Sequence, residues 1–216
     1  MSLDLLHTGA DLAGARVVCV LVHGRGQSPE AMLDHVVRHL PLDGVAWVLP
    51  RAPGGSWYAA RAVDPLTEAT RAELGAALSG LSNAINSVRA QTDRPLVLAG
   101  FSQGACLSLE HACTGHAPAD AVVAFTGCRV GQPTDERPRA LPFGLPVYLT
   151  GGDADPWIPV AAFAEAAADL GTQGAALRAD LFPGRPHEVS APERAMLASV
   201  LTALAHDRPV TMEAPR

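Results

Sequence analysis

Apolar positions along this chain follow two periods that alternate. In short runs such as Arg16–Val22 (RVVCVLV), every position after the first is apolar, as in a strand buried on both faces. Val45–Leu49, Leu96–Ala99, Ala121–Phe125, Pro146–Thr150 and Leu177–Phe182 read the same way. Between them lie longer stretches with a helical period. Glu68–Ala90 sets Leu74, Leu78, Leu81, Ile85 and Val88 on one stripe, at spacings of four, three, four and three. Gln103–Ala112, Val160–Leu170 and Pro192–Ala205 are further predicted helices, and His35 and His39 fall on another. Leu3–Thr8 is expected to pair with the Arg16–Val22 strand as an antiparallel edge hairpin, turning through Gly9–Gly14. Strand-helix alternation predicts an α/β fold, with a mostly parallel central sheet and helices on both faces. No shift in composition marks a second unit, so residues 1–216 are expected to form one domain, with Pro138–Pro146 and Pro183–Pro186 as loops inside it.

Composition narrows the function classes. The 216 residues are 48% hydrophobic, enough for a substantial core. A formal net charge of -6, with no long Lys/Arg cluster, gives no electrostatic reason to expect nucleic acid as a partner. No apolar stretch approaches the ~20 residues of a membrane span. Met1–Ala15 lacks the basic start and apolar run of a signal peptide. Cys19, Cys106, Cys113 and Cys128 have no CxxC spacing, and three lie in apolar segments. They read as reduced, buried thiols of a cytoplasmic protein. The tail from Asp207 to Arg216 is expected to be loosely held.

One segment carries chemistry. In "LVLAGFSQGACLSL" an apolar run reaches Gly100, then Phe101, Ser102, Gln103, Gly104 and a second apolar run. A nucleophilic serine must stand clear of the backbone on a tight strand-to-helix turn, with positive φ. Side chains two residues to either side would collide as strand and helix converge, and Gly100 and Gly104 remove them. The helix that follows points its N–H groups at the serine, where they favour a developing anion.

A serine hydroxyl needs a base, usually a histidine oriented by a carboxylate. His187 lies in the loop "FPGRPHEVS", just beyond a predicted strand, where such sheets place their sites. His111 and His116 follow the serine helix away from its tip, and His206 is near a fraying end. The loop after the preceding strand, "LPVYLTGGDADPWIP", offers both Asp153 and Asp155, and spacing does not choose between them. Backbone N–H groups of Gln103 and, in the turn "VLVHGRGQS", of Arg25 are the expected oxyanion donors. His23 reads as a turn histidine hydrogen-bonded to its loop. His35 and His39 are four apart, but no third ligand is near, so no metal is expected. Trp57 and Tyr58, in the long loop "APGGSWYAARAVDPL", and Trp157, beside the acid, are candidate walls of a substrate pocket.

These segments resemble the carboxylesterase/phospholipase/acyl-protein thioesterase family of small α/β-hydrolases over most of the chain. "VHGRGQS" is similar to the family's LHGxG segment, "GFSQGA" to its nucleophile elbow, "GGDADPWIP" to its HGxxDxxVP segment and "PGRPHEVS" to its histidine loop. "HGRG" and "SWY" further resemble a bacterial branch of predicted esterases. The resemblance implies an α/β-hydrolase fold without a large cap domain and a Ser102–His187–Asp155 triad, with Asp153 a bystander. It implies a carboxylesterase, with a thioesterase or lysophospholipase as the alternative and no cofactor. The strands and helices leave little room for a lid, and Ala52–Thr67 is the one long insertion, so short to medium acyl esters are the expected substrates. A non-catalytic ligand-binding or interaction protein on the same fold is the alternative of another class. A homodimer stays open. Two departures stand out: Gly151 where many members have histidine, and Arg25 where the thioesterase branch has an apolar residue.

Overall fold

The computed structural model describes residues 3–213. Along the described chain run β1 (Asp4–Gly9), β2 (Val17–Val22), α1 (Pro29–His35), β3 (Val45–Arg51), α2 (Glu68–Arg89), β4 (Leu96–Phe101), α3 (Gln103–Cys113), β5 (Ala121–Phe125), β6 (Pro146–Gly152), α4 (Val160–Thr172), β7 (Ala176–Phe182) and α5 (Ala191–Ala205). Every residue of β2, β4 and β5 is buried, as their unbroken apolar runs require. The strands form one sheet in the order β1-β3-β2-β4-β5-β6-β7, parallel throughout except for β1.

Alternate residues of each strand face opposite core layers. Val18, Val20 and Val22 join the layer containing α2, α3 and α4. Val17, Cys19 and Leu21 join the layer containing Met32 of α1 and Met196, Leu197, Val200 and Leu201 of α5. The helix α3 is buried over all of its eleven residues. This is the α/β-hydrolase architecture, and among the described residues no cap domain is inserted in it.

Three expectations need correction. β1 does not pair with β2; it pairs antiparallel with β3, Asp4 opposite Arg51 and Gly9 opposite Ala46. The fully apolar β2 needs a neighbour on each side and takes β3 and β4, whereas the half-exposed β1 suits the sheet edge. His35 ends α1, and His39 lies in the separate 3₁₀ turn Val37–His39, so the two do not share a helix. The tail is not loose along its described part: Val210 and Met212 pack against the α1/α5 layer, while residues 214–216 lie outside the described residues. All four cysteines are free and buried, and burial raises the Cys113 thiol to about 11. Among the described residues, no helix is long and apolar enough to cross a membrane.

Candidate active site

Ser102 sits between β4 and α3 with φ 55° and ψ -120°. For a residue with a Cβ this conformation costs on the order of 1–3 kcal/mol. Two close approaches hold it in place. A Cβ on Gly100 would lie 2.4 Å from the carbonyl oxygen of Gly104. One on Gly104 would lie 2.2 Å from the carbonyl oxygen of Val22. The first glycine lets helix and strand converge; the second seats the helix against the end of β2. The turn is tied sideways as well, since the Ser102 N–H donates to the Phe125 carbonyl at 2.9 Å.

The Ser102 hydroxyl lies 2.8 Å from Nε2 of His187, and Nδ1 of His187 lies 2.7 Å from Oδ2 of Asp155. The Asp155 carboxylate is wholly buried, and its other oxygen accepts the backbone N–H groups of Trp157 at 2.7 Å and Ile158 at 3.0 Å. Asp153 points elsewhere and accepts the N–H of Gly184, lacing the acid loop to the histidine loop. An Asp155 carboxylate fixed by two amides holds the proton on Nδ1 and leaves Nε2 to accept the hydroxyl proton. The imidazole also leans on Phe101, ring centroids 5.0 Å apart.

The other histidines are accounted for. His23 is fully buried, donates from Nδ1 to Gly24 O at 2.7 Å and accepts the Ala52 N–H on Nε2 at 3.0 Å. Burial holds its pKa below the usual histidine value. His111 meets Ser82 at 3.1 Å on the far side of α3, and burial lowers its pKa to about 4. Among the described residues, no group of His, Cys, Asp and Glu is placed to hold a metal ion.

A cavity of about 360 Å³ opens over Ser102, walled by Tyr58, Ala62, Cys106, Trp157 and Ile158 and rimmed by Arg25 and Arg61. Among the described residues, neither the Arg25 nor the Gln103 N–H meets a protein acceptor, so both are free to donate to an oxygen beside Ser102. Tyr58 and Trp157 line this cavity, whereas Trp57 does not. The Trp57 indole is buried behind the loop, 5.1 Å from the His23 ring, and its Nε1 donates to His23 O at 2.8 Å.

Sequence reasoning missed what the side chains of the two N–H donors do. Gln103 accepts the Trp57 N–H at 3.0 Å and donates to Tyr58 O at 2.7 Å. Arg25 donates to the carbonyls of Ala59, at 2.7 Å, and Ala60. Both clamp the loop after β3 over the cavity. It also missed Arg185, a buried guanidinium under the histidine loop. Arg185 donates to Glu188 O and to Thr126 Oγ1, the latter at 2.9 Å, and lies 3.6 Å from buried Glu193. An arginine two residues before the histidine, in a loop without periodicity, was the only signal.

A family model described as phospholipase/carboxylesterase matches residues 12–204. No curated protein sequence matches the chain. Among solved structures, a phospholipase/carboxylesterase of Dyadobacter fermentans is similar at 28% identity and TM-score 0.82, over 93% of this chain and 97% of that one. An esterase named PE8 is similar at 24% identity and TM-score 0.76, over 94% and 100%. An acyl-protein thioesterase 2 of Zea mays shares the fold at 18% identity and TM-score 0.72, over 94% and 99%.

Proposed function

The chain belongs to the phospholipase/carboxylesterase family, and from that premise we propose that it is a serine hydrolase cleaving short to medium acyl esters through an acyl-enzyme. The observation that carries this reading is the unbroken relay of 2.8 Å and 2.7 Å from Ser102 through His187 to buried Asp155. His187 takes the hydroxyl proton on Nε2 as Ser102 Oγ attacks the acyl carbon. Asp155 stabilises the imidazolium that forms and fixes the ring's orientation. The carbonyl oxygen, now an anion, receives the N–H groups of Arg25 and Gln103, with the N-terminus of α3 behind them. His187 then protonates the leaving alcohol. In the second half-reaction it activates a water that attacks the acyl-enzyme and releases the acid.

The cavity supports the choice of substrate. Its walls are mostly apolar, as an acyl chain requires, and its volume falls within the roughly 300–1,000 Å³ of small-molecule sites. A fluorophosphonate probe tests the chemistry directly, because only an activated serine reacts with it. The wild-type protein should label on Ser102 and Ser102→Ala should not. The same variant should turn over p-nitrophenyl butyrate at least ~10³-fold more slowly, since the relay acts as a unit. A wild-type protein that stays unlabelled, or an alanine variant that keeps its turnover, overturns the mechanism.

A further inference from the structure

His187 stands between two hollows on opposite faces of the sheet. The first, over Ser102, is walled by Tyr58, Ala62, Cys106 and Ile158, all from the α2/α3/α4 layer. The second, of about 340 Å³, opens on the α1/α5 face, where Met32 and Phe101 contribute apolar surface. The imidazole lines both, whereas Ser102, Gln103 and Arg25 line only the first.

This division bears on how an ester would lie, and the step rests on the function proposed above. The tetrahedral carbon on Ser102 carries an oxyanion, an acyl chain and a leaving oxygen. The oxyanion donors open into the first hollow, whose apolar walls suit the acyl chain. The leaving oxygen must reach Nε2 of His187 to take its proton. An alcohol protonated there lies against the imidazole, and His187 is the residue that the two hollows share.

The second hollow is chemically unlike the first. Its polar lining comes from Gln27, His35, His39, Glu188 and Arg194. Among the described residues, the side chains of His35, His39 and Glu188 make no hydrogen bond to protein. Gln27 uses only its oxygen, for the Gly24 N–H, and Arg194 only one nitrogen, for Val189 O. Donors and acceptors are therefore interspersed, and the two full charges, Arg194 and Glu188, oppose each other. A hydroxyl both donates and accepts, so several hydroxyls on one small molecule match such a lining. An anion would meet Glu188 and a cation Arg194. The surfaces of Met32 and Phe101 suit the C–H faces of the same molecule.

The geometry points to the second hollow as a leaving-group subsite for a neutral polyol, which makes the substrate class acyl esters of glycerol or a sugar. The test compares kcat/KM for 1-monobutyrin and ethyl butyrate, which share an acyl group and differ only in the alcohol. The wild-type enzyme should favour the glyceryl ester about tenfold, the scale of one or two hydrogen bonds. In the double variant His39→Ala/Glu188→Ala, both surface changes, that ratio should collapse towards one. Equal kcat/KM for the two esters in the wild-type enzyme overturns the subsite and leaves the esterase reading intact. A preference that survives the double variant also overturns it. Hydrolysis of neither ester overturns both readings.

Discussion

Two aspartates two positions apart illustrate how environment, not identity, sets a role. The Asp155 carboxylate has two amides on one oxygen and an imidazole on the other, with no exposure to water. Asparagine there would turn an amide N–H₂ towards either the backbone N–H groups or the Nδ1 proton, and each arrangement disfavours the working tautomer. Asp155→Asn should therefore lower kcat by roughly 10²–10⁴. Asp153→Asn keeps an oxygen for the Gly184 N–H and should cost much less. Steady-state kinetics on one activated ester checks both, and a reversed order would reassign the acid. The serine was legible from sequence because only a particular turn needs glycine at both 100 and 104. The acid was legible only through the family resemblance, which implied Asp155; spacing left Asp153 and Asp155 open, since turn-forming aspartates beside glycine look alike until the fold brings one of them to His187. Gly151 also has a physical account: a Cβ there would come within 2.9 Å of the Phe163 ring, which packs across β6.

Single elements were readable where a period exists, and the connections between them were not. The loop after β3 has no period, and what positions it is a set of long-range bonds to carbonyls and amides. Gln103 makes three of the loop's bonds from the first turn of α3, and the residue is only 5% exposed. Its backbone N–H faces the cavity while its amide fastens the loop that walls the same cavity. Gln103→Ala keeps that N–H but leaves the buried Trp57 N–H unpaired, at about 1–3 kcal/mol if water does not reach it, and leaves the Tyr58 carbonyl with the Ser56 hydroxyl alone. Thermal unfolding should show a lower midpoint. Hydrogen exchange should show faster amides over residues 56–60, together with a fall in kcat/KM. A variant as stable and active as wild type, with unchanged exchange, would mean the loop is held by its other contacts. Arg25, exposed and bonded to Ala59 and Ala60, adds to the same clamp from the opposite side.

Over the whole molecule, burial decides both the pH range of stability and the length of acyl chain accepted. His111 is buried in α3, and its pKa falls from an ordinary 6.5 to about 4. Above pH 6.5 the imidazole is neutral folded or unfolded, and no penalty arises. As the pH drops from 6.5 to 4, the unfolded chain binds a proton that the folded chain resists, so stability declines through that window by up to about 3 kcal/mol. His111→Gln, which can still reach Ser82, should flatten that decline, as urea unfolding at pH 7 and pH 4.5 would measure; an unchanged slope would place the acid sensitivity elsewhere. The sheet order set a different limit on sequence reading: an edge strand has one partner, and nothing within β1 itself distinguishes β2 from β3. Acyl length follows from how the loops close the cavity over Ser102. Its walls at Ala62 and Ile158 are continuous in sequence with Val63 and Pro159, which line a further hollow of about 260 Å³. The same two segments thus line both hollows. Each methylene that fits the first cavity contributes roughly 0.8 kcal/mol, about fourfold in kcat/KM. The preference should accordingly rise to an acyl chain of about four to six carbons and then fall, where further methylenes meet those walls. Ile158→Ala keeps the amide that Asp155 binds but removes the side chain from the wall, and it should move the optimum to longer chains. Trp57→Ala should not move it, since that indole lies behind the loop. Trp157→Ala should move it little, because Trp157, although it lines the cavity, is 62% exposed. Measuring kcat/KM for p-nitrophenyl esters below their micelle-forming concentrations decides the matter. A steady increase through twelve carbons in the wild-type enzyme would show that chains already pass over the Ala62–Ile158 wall, and the short-chain reading would then give way to a lipid-like substrate.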